Sequence, residues 1–145
     1  MTLTSLNPEN IFLVDLNFMN QTHLEEVEMV NVLMKKITDQ LSGQQNNSEI
    51  SQLLAQWLQH TQVHFARENE LMRETRFPAF SVHSEEHEIA LYRMTTVIDA
   101  WELNKDIELV KDFVFTLWPN WFKAHVSTMD KMTAEFALNS GFKEK

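Results

Sequence analysis

The chain of 145 residues contains no cysteine, two glycines and three prolines. Without cysteine it cannot form a disulfide, a zinc–thiolate site or an iron–sulfur cluster. Glycine and proline occupy many tight turns, so their scarcity argues against a β-sandwich or β-barrel. The residues that are plentiful, such as leucine, methionine, glutamate and lysine, favour helix. The composition therefore predicts an all-α protein.

Basic residues are also scarce, with 12 lysines and arginines against 21 acidic residues and a net charge of −9. This balance argues against nucleic acid and against anionic membrane surfaces as partners. No apolar run is long enough to span a membrane, and residues 1–10 lack the basic and apolar regions of a signal peptide. We therefore expect a cytoplasmic protein with no nucleic-acid or membrane partner.

Apolar residues recur at three- and four-residue spacing in four stretches, which predicts four helices. The first runs from about Asn20 to Leu41, and the second from about Glu49 to Glu74. The third spans roughly Val82 to Leu103, and the fourth about Ile107 to Leu138. Pro119 lies inside the fourth helix, where it removes a backbone donor and clashes with the preceding turn. A kink or short break is therefore expected near Trp118.

Residues 1–18 are expected to form an irregular N-terminal arm that packs on the helices through its apolar side chains. A strand is a weaker alternative for this arm, because it would have no obvious partner. Short links between the four helices predict an up-down-up-down four-helix bundle over residues 19–141. The whole chain, residues 1–145, is expected to form a single domain.

Histidines and carboxylates are arranged at helical spacing. His64 and Glu68 are four residues apart, as are His83 and His87, so each pair shares one face of its helix. Each predicted helix contributes to the full set, as a two-metal site in a bundle core requires: His23, His64, Glu68, His83, His87, His125 and Asp130. Imidazole and carboxylate suit non-haem iron, and zinc or manganese less selectively. Asp130 follows His125 by five residues, which simple helical periodicity does not explain.

These residues lie in recognisable motifs. The sequence HFARENELM at residues 64–72, then FP at 77–78 and HSEEH at 83–87, resembles the second- and third-helix motifs of hemerythrins. WFKAH at residues 121–125, followed by Asp130-Lys131, resembles the fourth-helix motif. The first-helix motif, QTH at residues 21–23, is weaker. The resemblance covers nearly the whole chain and is closest to bacterial single-domain members.

The resemblance implies a di-iron centre. One iron would be bound by His83, His87 and His125, and the other by His23 and His64. Glu68 and Asp130 would bridge the two irons, together with an oxo or hydroxo group. The iron with two histidines would keep an open position for dioxygen or another small diatomic. The resemblance also implies a dioxygen pocket lined by Phe65, Trp121, Phe122 and Val126. The alternative for these four residues is that they are ordinary core side chains at helical spacing.

Glu26 departs from the family pattern, which usually has an apolar residue here, close to the open iron. It follows His23 by three residues and therefore lies on roughly the same helix face. Its side chain could point to solvent, as charged pairs such as Glu25-Glu26 and Glu85-Glu86 usually do. It could instead bind the open iron position or relay protons beside it. Either of these outcomes would weaken reversible dioxygen binding and favour redox chemistry or sensing.

The expected function is therefore a dioxygen-binding protein (a carrier, store or buffer) rather than an enzyme. The alternatives are a di-iron redox enzyme acting on peroxide, nitric oxide or ferrous iron, and an oxygen or redox sensor that needs a separate partner. The last alternative is a bundle whose histidines bind zinc or no metal. Binding no metal is disfavoured, because burying so many imidazoles and carboxylates without a cation is costly. The sequence leaves any protein partner unidentified and is compatible with a monomer or a homo-oligomer.

Overall fold

A computed structural model describes residues 5–144 of the chain. Its regular structure there is entirely helical and forms a four-helix bundle, as the composition and periodicity predicted. Helix α1 spans Asn17–Leu41, α2 spans Asn47–Thr75 and α3 spans Phe80–Asn104. Helix α4 covers residues 107–139. Each observed helix agrees with its predicted span to within about three residues at either end.

The helices end at short connections whose conformations stop them sharply. Helix α2 ends where Arg76 adopts a left-handed conformation with φ of 59°, and Pro78 follows two residues later. Helix α3 ends in the same way at Lys105, with φ of 51°. A left-handed residue after a helix brings its backbone N–H back to a free carbonyl of the last turn. These short links keep consecutive helices as neighbours in the bundle.

The core between the helices is rich in large side chains. Trp57 of α2 is 1% exposed, and its ring packs against the rings of Phe113 and Trp118 in α4. Trp101 of α3 is fully buried and donates a hydrogen bond from its indole N–H to Ser51.

Of the helices within residues 5–144, none combines the length and the apolarity that crossing a bilayer requires.

Helix α4 contains two π-helical segments, Phe113–Leu117 and Val126–Asp130. The first of them precedes Pro119, and the backbone N–H of Trp118 bonds to the carbonyl of Phe113, five residues earlier. Of the two predicted alternatives near Trp118, a kink or a short break, the break is wrong, because the helix continues through the proline as a π-helical irregularity. The wider turn admits the proline ring without interrupting the helix.

The N-terminal arm is irregular from Ser5 to Leu16, apart from a 3-10 turn at Pro8–Asn10. No strand occurs between residues 5 and 16, and α1 begins slightly earlier than predicted. Asn31 of α1 bonds to both backbone groups of Leu6, at 2.6 and 2.9 Å. Val14 and Leu16 are buried in the core. From Ser5 onward the arm therefore packs on the bundle, as its apolar residues predicted, and residues 1–4 of the predicted arm lie outside the described residues.

Candidate metal centre

All seven side chains that the sequence singled out converge in the bundle core, where none is more than 6% exposed. They form two overlapping groups whose ligand atoms lie within 4.8 Å of one another. The three-histidine group consists of His83, His87 and His125 with Glu68 and Asp130. The two-histidine group consists of His23 and His64 with the same two carboxylates.

Glu68 faces both groups with different oxygens. Its Oε1 lies 3.2 Å from Nε2 of His87 and 3.5 Å from Nε2 of His83. Its Oε2 lies 2.6 Å from Nε2 of His64 and 3.8 Å from Nε2 of His23. A carboxylate that divides its oxygens in this way is placed to span two cations.

Asp130 divides its oxygens in the same sense. Its Oδ1 lies 3.1 Å from Nε2 of both His83 and His125, and its Oδ2 lies 2.9 Å from Nε2 of His23. The two carboxylates therefore connect the three-histidine and two-histidine groups by parallel routes. All five imidazoles present Nε2 to these carboxylates.

The π-helical segment Val126–Asp130 accounts for the five-residue spacing between His125 and Asp130. In a π-helix the backbone N–H bonds to the carbonyl five residues earlier, so a turn holds one residue more than in an α-helix. Here the N–H of Lys131 bonds to the carbonyl of Val126. One wide turn thus brings Asp130 to the same face as His125, which its sequence spacing left unexplained.

Four of the five imidazoles also have a partner for their outer nitrogen, Nδ1. In the three-histidine group, Thr133 lies 2.7 Å from Nδ1 of His83, Asn69 lies 2.9 Å from His87, and Glu86 lies 2.8 Å from His125. Such partners fix the tautomer and orientation of metal-binding histidines. No sequence pattern marks Asn69 or Thr133 as partners of the histidines, and Glu86, predicted to lie on a solvated face, contacts His125 instead.

In the two-histidine group the outer nitrogens differ. Nδ1 of His23 is buried with no hydrogen-bond partner among the described residues. Nδ1 of His64 instead lies 3.5 Å from Oε1 of Glu26. The ring of His64 is therefore placed between two carboxylates, Glu26 on its outer side and Glu68 on its inner side.

Glu26 does not point to solvent. The residue is 1% exposed and belongs to neither ligand group, because its contacts lie on the outer side of His64. Trp57 donates its indole N–H to Oε2 at 2.8 Å, and the Thr61 hydroxyl lies 3.0 Å from Oε1. His60 is half-buried and lies 2.9 Å from Oε1 through its Nδ1. The solvent-facing alternative for Glu26 is therefore wrong.

The ionisation of the cluster follows from these contacts. Burial alone lowers the pKa of His64, but the charge of Glu68 and hydrogen bonds with both glutamates raise it well above its usual value. The same competition, with Asp130 and Glu68 as partners, raises the pKa of His83 to about 9. For His87, burial and the charges of His83 and His125 dominate and lower the pKa to about 4.

The carboxylates remain ionised despite their burial. Burial raises the pKa of Glu68, but the facing histidines, His64 first, bring it well below its usual value. Burial and the charge of Glu68 raise the pKa of Asp130, but the contacts with His125 and His23 have the larger effect and bring it well below its usual value. Burial likewise raises the pKa of Glu26, and hydrogen bonds with His60 and His64 outweigh that effect and lower it to about 2. The core therefore holds three ionised carboxylates.

Aromatic side chains enclose the cluster. Phe65 stacks on His87 with ring centres 4.0 Å apart, and Trp121 stacks on His125 at 4.5 Å. Phe122 meets His23 edge-on at 5.6 Å. Val126 is buried in the same core cluster. The four residues predicted to line a diatomic pocket thus lie in the bundle core, three of them in ring contact with the histidines.

Trp121 also borders an apolar groove of about 460 Å³ between α3 and α4. The groove is lined on the other side by residues that include Ala90, Tyr92 and Val97. Tyr92 is 74% exposed, whereas Trp121 is partly buried. The indole of Trp121 therefore separates this surface groove from the ring of His125.

The donor set fits a pair of metal ions. Among the described residues, Glu68 Oε1, His87 Nε2 and Asp130 Oδ1 are buried and make no hydrogen bond, and all three lie in the three-histidine group. Buried polar atoms of this kind are costly unless something satisfies them, and a cation bound by the three-histidine group would do so. Five nitrogen and two carboxylate donors with no sulfur suit iron, and also manganese or zinc.

The fold and cluster define a class of protein, a four-helix bundle with a histidine–carboxylate metal centre in its core. Comparison with protein families identifies the class more closely, because the model for the hemerythrin HHE cation binding domain matches residues 14–137. The chain belongs to the hemerythrin family, as its motifs indicated.

Curated relatives agree with this assignment. The chain is 32% identical over 134 residues to a bacteriohemerythrin of Aquifex aeolicus, covering 90% of this chain and 95% of the relative. It is 33% identical over 85 residues to one from Ralstonia nicotianae, covering 59% and 61%. A third, from Stenotrophomonas maltophilia, is 24% identical over 84% of this chain and 74% of the relative. No solved structure gives a significant match.

Proposed function

We propose that this chain is a non-haem di-iron protein that binds dioxygen at the iron position formed by His23 and His64. The observation that carries the proposal is the division of oxygens by Glu68 and Asp130, each of which faces both histidine groups. Two carboxylates that span two sets of imidazoles are suited to hold a pair of ions. Membership in the hemerythrin family supports iron as the metal.

The ligand roles follow from the two groups. His83, His87 and His125 would hold one iron, and His23 and His64 the other, with Glu68 and Asp130 bridging them and an oxo or hydroxo group completing the bridge. The position with two histidines has one protein donor fewer, so it would keep a coordination site for an external ligand. When bound, the iron pair would supply the electrons that reversible dioxygen binding requires.

The residues around the cluster would limit access of water and protons. Phe65, Trp121 and Phe122 place apolar ring surface against three of the histidines. An apolar surrounding lowers the local dielectric and slows exchange with solvent. This environment favours binding a small diatomic without further reaction, and we propose a carrier, store or buffer of dioxygen. We also propose that residues 1–145 act as a single domain in the cytoplasm.

A second candidate is a di-iron redox enzyme, acting on peroxide, nitric oxide or ferrous iron, or an oxygen or redox sensor. The observation that favours it is the buried carboxylate of Glu26 behind His64. Extra negative charge near one iron stabilises its ferric state. This makes release of dioxygen with return to the ferrous state less favourable.

Iron content and visible absorption spectra separate these functions. We expect two irons per chain, and an absorption band that appears in air and disappears on deoxygenation. Two irons that oxidise at once and never show a reversible band would favour the redox or sensing function. Less than one iron per chain, with zinc in its place, would refute the di-iron proposal.

A further inference from the structure

The two histidine groups differ in the charge behind their ligands. His83 and His87 have neutral outer partners, Thr133 and Asn69. The outer partner of His125 is Glu86, whose side chain is 36% exposed, so that water screens part of its charge. The carboxylate of Glu26 behind His64 is only 2% exposed. Glu86 lies closer to its histidine, at 2.8 Å against 3.5 Å for Glu26. Charges interact more strongly when buried, and on that ground we assign the stronger electrostatic effect to Glu26.

Glu26 is also fixed in place by its neighbours. Helix α2 presents Trp57, His60, Thr61 and His64 at three- and four-residue intervals, so all four face α1 together. Trp57 and Thr61 bind the two oxygens of Glu26 at 2.8 and 3.0 Å, and His60 adds a contact at 2.9 Å. A carboxylate held on this many sides has little freedom to move toward the metal positions. Its remaining contact is with Nδ1 of His64.

We propose that Glu26 is a positioning residue for the two-histidine metal position. It accepts the outer N–H of His64, which fixes the tautomer that leaves Nε2 free to bind metal, and its charge makes this imidazole a more basic ligand. This inference rests on the proposed function, because it concerns one of the two proposed metal positions. The two-histidine position has a buried carboxylate behind one of its ligands, whereas the carboxylate behind the three-histidine position, Glu86, is partly exposed.

Loss of an outer partner typically costs ten- to a hundredfold in metal affinity. The metal-depleted protein would be titrated with Co²⁺, which reports on both positions through its absorption. Glu26→Leu should weaken binding of one of the two ions by about ten- to a hundredfold and leave the other unchanged. Glu26→Gln keeps the size of the side chain and one acceptor oxygen, so it should give a smaller loss and shows the effect of charge alone.

Glu25→Gln is the matched control. Glu25 also contacts His60, at 3.2 Å, but it is exposed and touches no residue of the cluster. This variant should bind both Co²⁺ ions as the unsubstituted protein does. Circular dichroism of each metal-depleted variant would show that the helices are retained.

A spectroscopic measurement separates positioning from packing. Proton NMR of the Co²⁺-loaded protein should show shifted, solvent-exchangeable N–H resonances from the metal-bound imidazoles. Glu26→Leu should move or broaden one of them, that of His64, while Glu25→Gln should leave all of them in place. A change in overall stability alone would not select one resonance.

Two results would overturn the inference while leaving the di-iron proposal intact: both Co²⁺ ions bind to Glu26→Leu and Glu26→Gln with unchanged affinity, or both ions weaken equally with no selective change in one resonance. If the unsubstituted protein binds fewer than two Co²⁺ ions, the proposed function and the inference both fail.

Discussion

Removal of the metal should make the stability of the bundle fall as the pH rises from 6.5 to 9. In the metal-free protein the pKa of His83 is raised from 6.5 to about 9 by Asp130 and Glu68, which outweigh the effect of burial. A group whose pKa is raised on folding stabilises the folded state below its unfolded pKa, and that contribution is lost as the pH passes its folded pKa. His64, whose pKa is also raised, acts in the same direction.

The magnitude follows from the His83 shift. The difference between the pKa values of 6.5 and about 9 corresponds to about 3 kcal/mol of unfolding free energy for this fully buried group. His87 opposes the trend only slightly. Its pKa of about 4 leaves it uncharged in the folded chain throughout this window, whereas in the unfolded chain it is half charged at pH 6.5 and uncharged by pH 9. This difference reduces the expected loss by about 0.4 kcal/mol. In urea, a loss of about 3 kcal/mol would lower the unfolding midpoint by roughly 1–3 M.

The assay compares urea unfolding of chelator-treated and iron-loaded protein at pH 6.5 and pH 9. In the loaded protein the histidine nitrogens bind metal instead of protons, so its midpoint should change little in this window. Metal-free His83→Asn should show a reduced pH dependence, because the titrating group is gone. Equal midpoints for the metal-free protein at the two pH values, or the same loss in the loaded protein, would refute the reasoning.

Three further perturbations test the geometry of the centre. Glu68→Gln should reduce metal content from two ions to one or fewer per chain, measured by elemental analysis, because an amide bridges two cations poorly; two ions retained would contradict a bridging role. Deleting Thr128, an exposed residue of the wide turn, should convert that turn to an ordinary α-helical turn and keep Asp130 facing the cluster. Inserting an alanine after Thr128 should instead rotate Asp130 by about 100° and reduce metal content. The reverse pattern would disprove this account of the turn. Trp121→Ala should speed removal of metal by an external chelator at least severalfold, while Tyr92→Ala in the same groove should not; equal rates would show that the indole is no barrier.

Much of the fold and of the centre could be predicted from the sequence because both depend on local spacing. The four helices follow from apolar periodicity and from few turn residues. The pairs His64–Glu68 and His83–His87 follow from the four-residue repeat of a helix face. All seven predicted side chains meet in the core, and their roles as iron ligands remain predictions until metal is measured.

What the sequence did not reveal depends on contacts between distant segments. Thr133 bonds to a histidine 50 residues away, and no local pattern marks it. Glu26 and Glu86 look like surface charges because each lies beside another glutamate, and only the packing of α1 on α2 and of α3 on α4 shows their partners. The π-helical segments were not predictable from periodicity, because Pro119 indicates a kink or a break and the five-residue spacing of His125 and Asp130 fits no α-helical repeat.

The two wide turns of α4 have a consequence for how this helix is compared with others. Each wide turn contains one residue more than an α-helical turn. The sequence positions that face the core are therefore displaced by one residue at each of the two turns between residues 113 and 130. A helical wheel drawn for the whole of α4 would place Asp130 and the buried residues after it on the wrong side. A chain with an ordinary α-helical turn and His-x-x-x-Asp at this place would present the aspartate on the same face.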